Sequence, residues 1–223
     1  MDKIASPRIA ALLLALPLLM LGTGYGLAQQ SCTIMGEEVS VSSGQACPSD
    51  LHTTLSGLQI ERTVAMTDAT TGETSEVTEL QTFKTFIELY DRSGFGKYLK
   101  GETPPKLHGP GVREAAMTVF AVSDQMLGEE AASRLTHLAT SQNLDDAKKV
   151  RDFVGAHILT VPETHRSMWN GQGTRTTLTG AHIQYDSLTG GERINGVPIF
   201  KNDVIAKNGV IQVMSGLIVP VPD

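Results

Sequence analysis

Aromatic side chains are scarce in this sequence. Six Phe, four Tyr and one Trp are 5% of 223 residues. A core built with so few rings must rest on aliphatic and β-branched residues, which suits a small mixed or all-β interior. Positive charge is also short: 18 Lys and Arg stand against 24 Asp and Glu, for a formal net charge of −6. There is no basic run and no interleaving of basic with aromatic residues, so nucleic acid is a poor partner and an anionic lipid surface is equally poorly served. Long apolar runs are missing too. The longest, Ile9 to Leu21, is broken by Pro17 and falls short of the roughly 20 residues a membrane span needs. Cysteine appears twice, as Cys32 and Cys47, without the Cys-x-x-Cys spacing of a metal or redox pair.

What is present begins with a leader. Lys3 and Arg8 precede the apolar run, and Gly26-Leu27-Ala28 offers small residues where a signal peptidase reads. Residues 1–28 are therefore expected to be a signal peptide, cleaved after Ala28, leaving no stable membrane span. Removing Asp2, Lys3 and Arg8 leaves the mature chain one unit more negative. Export gives the two cysteines a role. In an oxidising compartment Cys32 and Cys47 are expected to form a disulfide, stabilising a short loop by about 3 kcal/mol.

Residues 29–77 read as an N-terminal extension. Glu37 to Ser43 alternates as a short strand would. Leu55, Leu58, Ile60, Val64 and Met66 suggest another strand or a hairpin, and Thr67 to Glu76 an exposed turn or linker. The main domain is then expected to open with a helix, because Thr78 and Gln81 have capping-box spacing and Leu80, Phe83, Ile87 and Tyr90 recur at helical intervals. Gly94 and Gly96 stop it. Met117 to Val122 reads as a buried strand. Ser123 and Asn143 suit N-caps of later helices. After His157 the periodicity changes to short strands: Ile158 to Val161, Thr176 to Thr179, His182 to Tyr185 and the closing runs. Helices early and strands late indicate an α+β fold.

The closing stretch is the most heavily punctuated. Asn195-Gly196, Asn202-Asp203 and Asn208-Gly209 separate three apolar runs, and a fourth follows Ser215-Gly216. That is the pattern of a compact β-meander. Asn195-Gly-Val197, Asp203-Val-Ile-Ala and Asn208-Gly-Val-Ile-Gln-Val-Met-Ser-Gly-Leu-Ile-Val-Pro220 resemble the closing motif of fasciclin domains. Thr118-Val-Phe-Ala-Val-Ser-Asp124 is similar to that family's Thr-Val-Phe-Ala motif. Phe153-Val-Gly-Ala-His157-Ile-Leu resembles its Tyr-His motif, and Thr177-Leu-Thr-Gly180 the Thr-Leu-x-Gly that follows. The resemblance covers residues 78–221 and suggests a single-domain, secreted member of the kind found in bacteria. It implies a wedge of two packed sheets with helices along one edge.

Sites for chemistry are few. Ala156 stands where the family has Tyr, Gln212 where it has His, and Ser215 where it has Asp. These departures weaken any transfer of a specific receptor. His157 reads as a histidine held by backbone hydrogen bonds at a helix end, with a partly charged ring favoured by the carbonyl dipole. His157, His165 and His182 match no metal-ligand spacing. No Gly-x-Ser-x-Gly elbow is present, and Gly171-Gln-Gly173 reads as a turn. Glu129-Glu130 and Asp145-Asp146 suit helix starts. Trp169, beside Met168, is read as packing. No cofactor and no catalytic residue is expected.

The expectation is a non-enzymatic adhesion or binding module that is secreted, periplasmic or associated with the cell surface. Its partner would be an envelope or extracellular protein, or a surface polysaccharide. The contact surface is placed around Ala156, His157, Asn208 and Gly209. The alternative is a periplasmic carrier of a small apolar ligand, held in a pocket at the sheet–helix boundary.

Overall fold

The computed structural model describes residues 30–34, 37–41, 47–101, 116–161, 171–188 and 191–219. The expected leader, the loop following Thr103, His165, Met168, Trp169 and Pro220 lie outside the described residues.

Strands β1 (Gln30–Ile34) and β2 (Glu37–Val41) form an antiparallel hairpin. Cys32 of β1 is bonded to Cys47. Next comes helix α1 (Leu51–Gly57), where a strand was expected around Leu55. Two local features select the helix. The Asp50 carboxylate accepts from the Thr53 amide at 2.9 Å, an N-cap. Leu51 and Leu55, one turn apart, are each only 1% exposed.

Strands β3 (Ile60–Thr67) and β4 (Thr74–Gln81) form an eight-pair antiparallel ribbon of their own. The helix expected to begin at Thr78 therefore does not begin there. Thr78 pairs with Thr63 across the ribbon, and the helix α2 (Lys84–Ser93) starts after Phe83. The expected linker shrinks to the hairpin turn. In that turn the Asp68 carboxylate accepts from the Thr70 and Thr71 amides at 2.7 and 2.9 Å.

The remaining helices are α3 (Gly96–Leu99), α4 (Asp124–Leu127), α5 (Glu129–Thr140) and α6 (Leu144–Ala156). Ser123 and Asn143 cap α4 and α6 as their positions predict. Helix α2 is the hub. Phe86, Leu89 and Tyr90 are fully buried against Leu135 of α5 and Val150, Phe153 and Val154 of α6.

Seven strands make the main sheet: β5 (Met117–Val122), β6 (Ile158–Leu159), β7 (Gln172–Thr176), β8 (His182–Asp186), β9 (Arg193–Ile194), β10 (Val197–Ala206) and β11 (Gly209–Met214), in spatial order β6-β5-β11-β10-β9-β8-β7. Among the described residues only β5 and β11 run parallel, and every residue of both is buried. Strand β10 belongs to both halves of the sheet. It pairs with β11 on one side and β9 on the other, and two register shifts between Ile199 and Val204 bend it. Asn202-Asp203, expected as a turn, is this bulge: Asp203 has φ 53° in the middle of a continuous strand.

The bend brings the two ends of the sheet together. Leu159 of β6 bridges Thr177, just past β7, and the Leu178 amide donates to the Ile158 carbonyl at 2.8 Å. The result is the wedge, with α1–α6 packed along it, and an α+β fold. Smaller differences follow from the same closure. Gln172 and Gly173 lie in β7 rather than in a turn, and Thr177 to Gly180 form the turn rather than a strand. Leu217 to Val219 is not a strand; the Ile218 carbonyl accepts instead from Asn195 Nδ2 at 3.1 Å.

Candidate functional site

Ala156 and His157 sit at the C-terminal end of α6, where the helix turns into β6. His157 is fully buried. Its ring packs against Phe153, with centroids 4.6 Å apart, and edge-on against Phe86 at 5.4 Å. Nδ1 lies 2.9 Å from the Phe153 carbonyl. A carbonyl can only accept, so Nδ1 carries the proton. Nε2 has no partner among the described residues. Burial pushes the pKa down to about 4, outweighing the opposing effect of the Phe153 bond. The partly charged ring expected from the helix dipole is thus a neutral one. The dipole acts well at a solvated helix end, but this ring has no solvent with which to share a charge.

Lys207 and Asn208 form the tight turn between β10 and β11, and Gly209 opens β11 opposite Ala206. The Leu51 amide donates to Asn208 Oδ1 at 2.8 Å. Asn208 Nδ2 donates to the Tyr98 and Leu99 carbonyls at 3.2 and 3.0 Å. One side chain therefore ties the start of α1 and the end of α3 to the sheet. Gly209 is buried beside them, and a Cβ there would lie 2.1 Å from the Met117 carbonyl oxygen. Of the four residues expected at a contact surface, Ala156, His157 and Gly209 are buried, and Asn208 is half-buried.

The residues that depart from the family pattern also have structural partners. Gln212 is fully buried. Its Nε2 donates to Asp203 Oδ1 at 2.7 Å, and its Oε1 accepts from the Asp203 amide at 3.0 Å. This reciprocal pair holds the positive-φ bulge of β10. The Ser215 amide donates to the Pro198 carbonyl at 2.9 Å.

Sequence reasoning missed Asp124. Its carboxylate accepts from the Lys84 and Thr85 amides, both at 2.9 Å, and from the Thr82 hydroxyl at 2.8 Å. It caps α2 from across the fold, meeting the amides that no local side chain reaches. Asp124 closes the Thr118–Asp124 motif, but its partners lie about forty residues earlier, beyond the reach of any local capping pattern. Glu129, Glu130, Asp145 and Asp146 lie in the first turns of α5 and α6, as expected.

A polar groove of about 410 Å³ opens on the far half of the sheet. Its lining joins Gln172, Asp186 and Arg193, which stand in one cross-strand row, and Thr174 and Gln184 in the next, with Gly173, Tyr185 and Gly196.

The sequence matches the Fasciclin domain family over residues 81–220, well over half of the chain. The chain belongs to the fasciclin domain family. Within this fasciclin domain, the segments with motif resemblance supply the cap Asp124, the buried His157, the closing Thr177 turn and the Asn208 tie. No curated protein matches the sequence. Among solved structures, the chain is similar to a FAS1 domain pair from the insect cell adhesion molecule Fasciclin I. That likeness has 16% identity and a TM-score of 0.43 over 62% of this chain. It covers 45% of the insect chain, so this fasciclin domain spans under half of that relative's length.

Proposed function

We propose that the protein is an exported, non-enzymatic binding module of the cell envelope or extracellular space, acting in adhesion. A cleaved leader over residues 1–28, an extension over 29–77 and a binding domain over 78–221 make up the chain in this reading. One observation carries it: the polar residues of the family motifs are used internally. Asp124 caps a helix, His157 is sealed among Phe rings, and Asn208 ties three elements together. With those groups committed to the frame, activity falls to the exposed loops and sheet faces. The disulfide between Cys32 and Cys47 favours an oxidising compartment. None of the helices among the described residues is long and apolar enough to cross a membrane.

Ala156, His157, Asn208 and Gly209 enter this reading as the support beneath a contact surface. The apolar-carrier alternative has less behind it. The Leu, Met and Val side chains at the sheet–helix boundary pack into one continuous core, and Gln, Thr, Asp and Arg side chains make up most of the groove lining, beside Tyr185. Crosslinking in living cells, followed by mass spectrometry, is the test. A reproducible crosslink to an envelope protein or surface glycan supports the adhesion module. A stoichiometric apolar molecule copurifying with an otherwise uncrosslinked protein overturns it.

A further inference from the structure

The groove on β7, β8 and β9 has a chemistry of its own. Cross-strand register puts Gln172 opposite Asp186 and Asp186 opposite Arg193, with Thr174 opposite Gln184 alongside. Side chains directly opposite one another share a face. The inward face of the same strands carries Tyr185 and Ile194, which pack on the core. The outer face therefore presents two amides, a hydroxyl, a carboxylate and a guanidinium, and Tyr185 also contributes to the lining of the groove. Thr174 and Gln184 are exposed, as is Gln172. The volume of about 410 Å³ lies at the lower end of the roughly 300–1,000 Å³ of small-molecule sites.

We propose that this groove binds a short stretch of a neutral saccharide. The claim deepens the adhesion reading and rests on it. The planar amides can each meet a ligand with two polar atoms at once; the Asp186 carboxylate, which already accepts from the Leu188 amide, and the Arg193 guanidinium, which already donates to the Gly196 carbonyl, add their remaining capacity, and the set both donates and accepts. Neighbouring hydroxyls on a sugar ring are complementary to that arrangement. An apolar ligand would meet mainly polar side chains, with Tyr185 the one large ring among the described residues of the lining. An anion finds one guanidinium, offset by Asp186 in the adjacent position, on a chain of net charge −6. A peptide strand would seek an open sheet edge rather than this face.

The test is calorimetric titration of the mature protein with cellotriose, maltotriose and mannotriose, and with trigalacturonate as the anionic control. We expect at least one neutral trisaccharide to bind. The double variant Gln172→Ala/Gln184→Ala should weaken that binding roughly tenfold or more with an unchanged melting temperature. Thr174→Ala provides a second, milder step in the same direction. Binding of none of the neutral sugars, binding of trigalacturonate alone, or undiminished binding by the double variant overturns the inference. The same variant is carried through the cellular crosslinking. If a protein crosslink persists while no sugar binds, the groove assignment falls and the adhesion reading stands. If the double variant loses a protein crosslink and no sugar binds, the occupant is a protein and this inference falls.

Discussion

At the scale of single residues, buried polar groups decide stability. His157 has a folded pKa near 4 against an ordinary value of 6.5. Both states hold a neutral ring above pH 6.5. As pH falls below that, the unfolded chain takes up a proton that the folded chain refuses, so stability declines until about pH 4. Across that window the loss is about 3 kcal/mol. Urea denaturation at pH 7.5 and pH 4.5 should show it, and His157→Phe should flatten the pH dependence attributable to this site. Equal pH slopes in the two proteins would sink the assignment. Asp124 acts differently, because its carboxylate answers two helix amides and a hydroxyl at once. Asp124→Ala should cost about 2 kcal/mol and lower the melting temperature by roughly 4–8 °C, read by calorimetry. Sequence reasoning finds a cap like Ser123, whose partner lies three residues on. It does not find Asp124, whose partners lie about forty residues back, because nothing local couples the two.

Elements were legible where their own sequence decides them. The buried strand Met117–Val122 and the caps of α4 and α6 are examples. They were misread where neighbours decide. Thr78 to Gln81 has helical capping spacing, yet the register imposed by β3 and the Asp68 turn makes it a strand. Asn202-Asp203 has turn chemistry, yet the Gln212 side chain satisfies it within a strand. Gln212→Ala should leave the Asp203 amide unsatisfied and loosen the bend. The expected loss is about 1–3 kcal/mol, with faster amide exchange confined to β10 and β11. Uniform exchange across the sheet would argue that the bulge stands without the pair. At the β10–β11 turn, space is the constraint. Gly209→Val drives a side chain into the Met117 backbone, so it should destabilise by about 3 kcal/mol or more, measured by thermal melting.

Across the whole molecule, the α+β class and the order of motifs could be read from the sequence, and the closed wedge came only from the resemblance. The closure depends on contacts between distant segments, such as Leu159 with Thr177, that no local pattern announces. The role of the extension was also hidden. Residues 29–77 look poor in large apolar groups, but Leu51 and Leu55 complete the core beneath α2 and β11. A chain cut to the matched limits, 81–220, should therefore be markedly less stable than one beginning at residue 47. The two buried leucines alone account for about 4 kcal/mol or more, and comparison of melting temperatures checks it. Equal melting temperatures would show that α1 is dispensable. Under the adhesion role proposed above, the Cys32–Cys47 bond acquires a mechanical meaning. Tension arriving upstream of Cys32 crosses that bond and enters α1 directly, where Asn208 locks it to the sheet. The fifteen-residue separation between the cysteines never bears load, and about 50 Å of chain length stays in reserve until the bond is reduced.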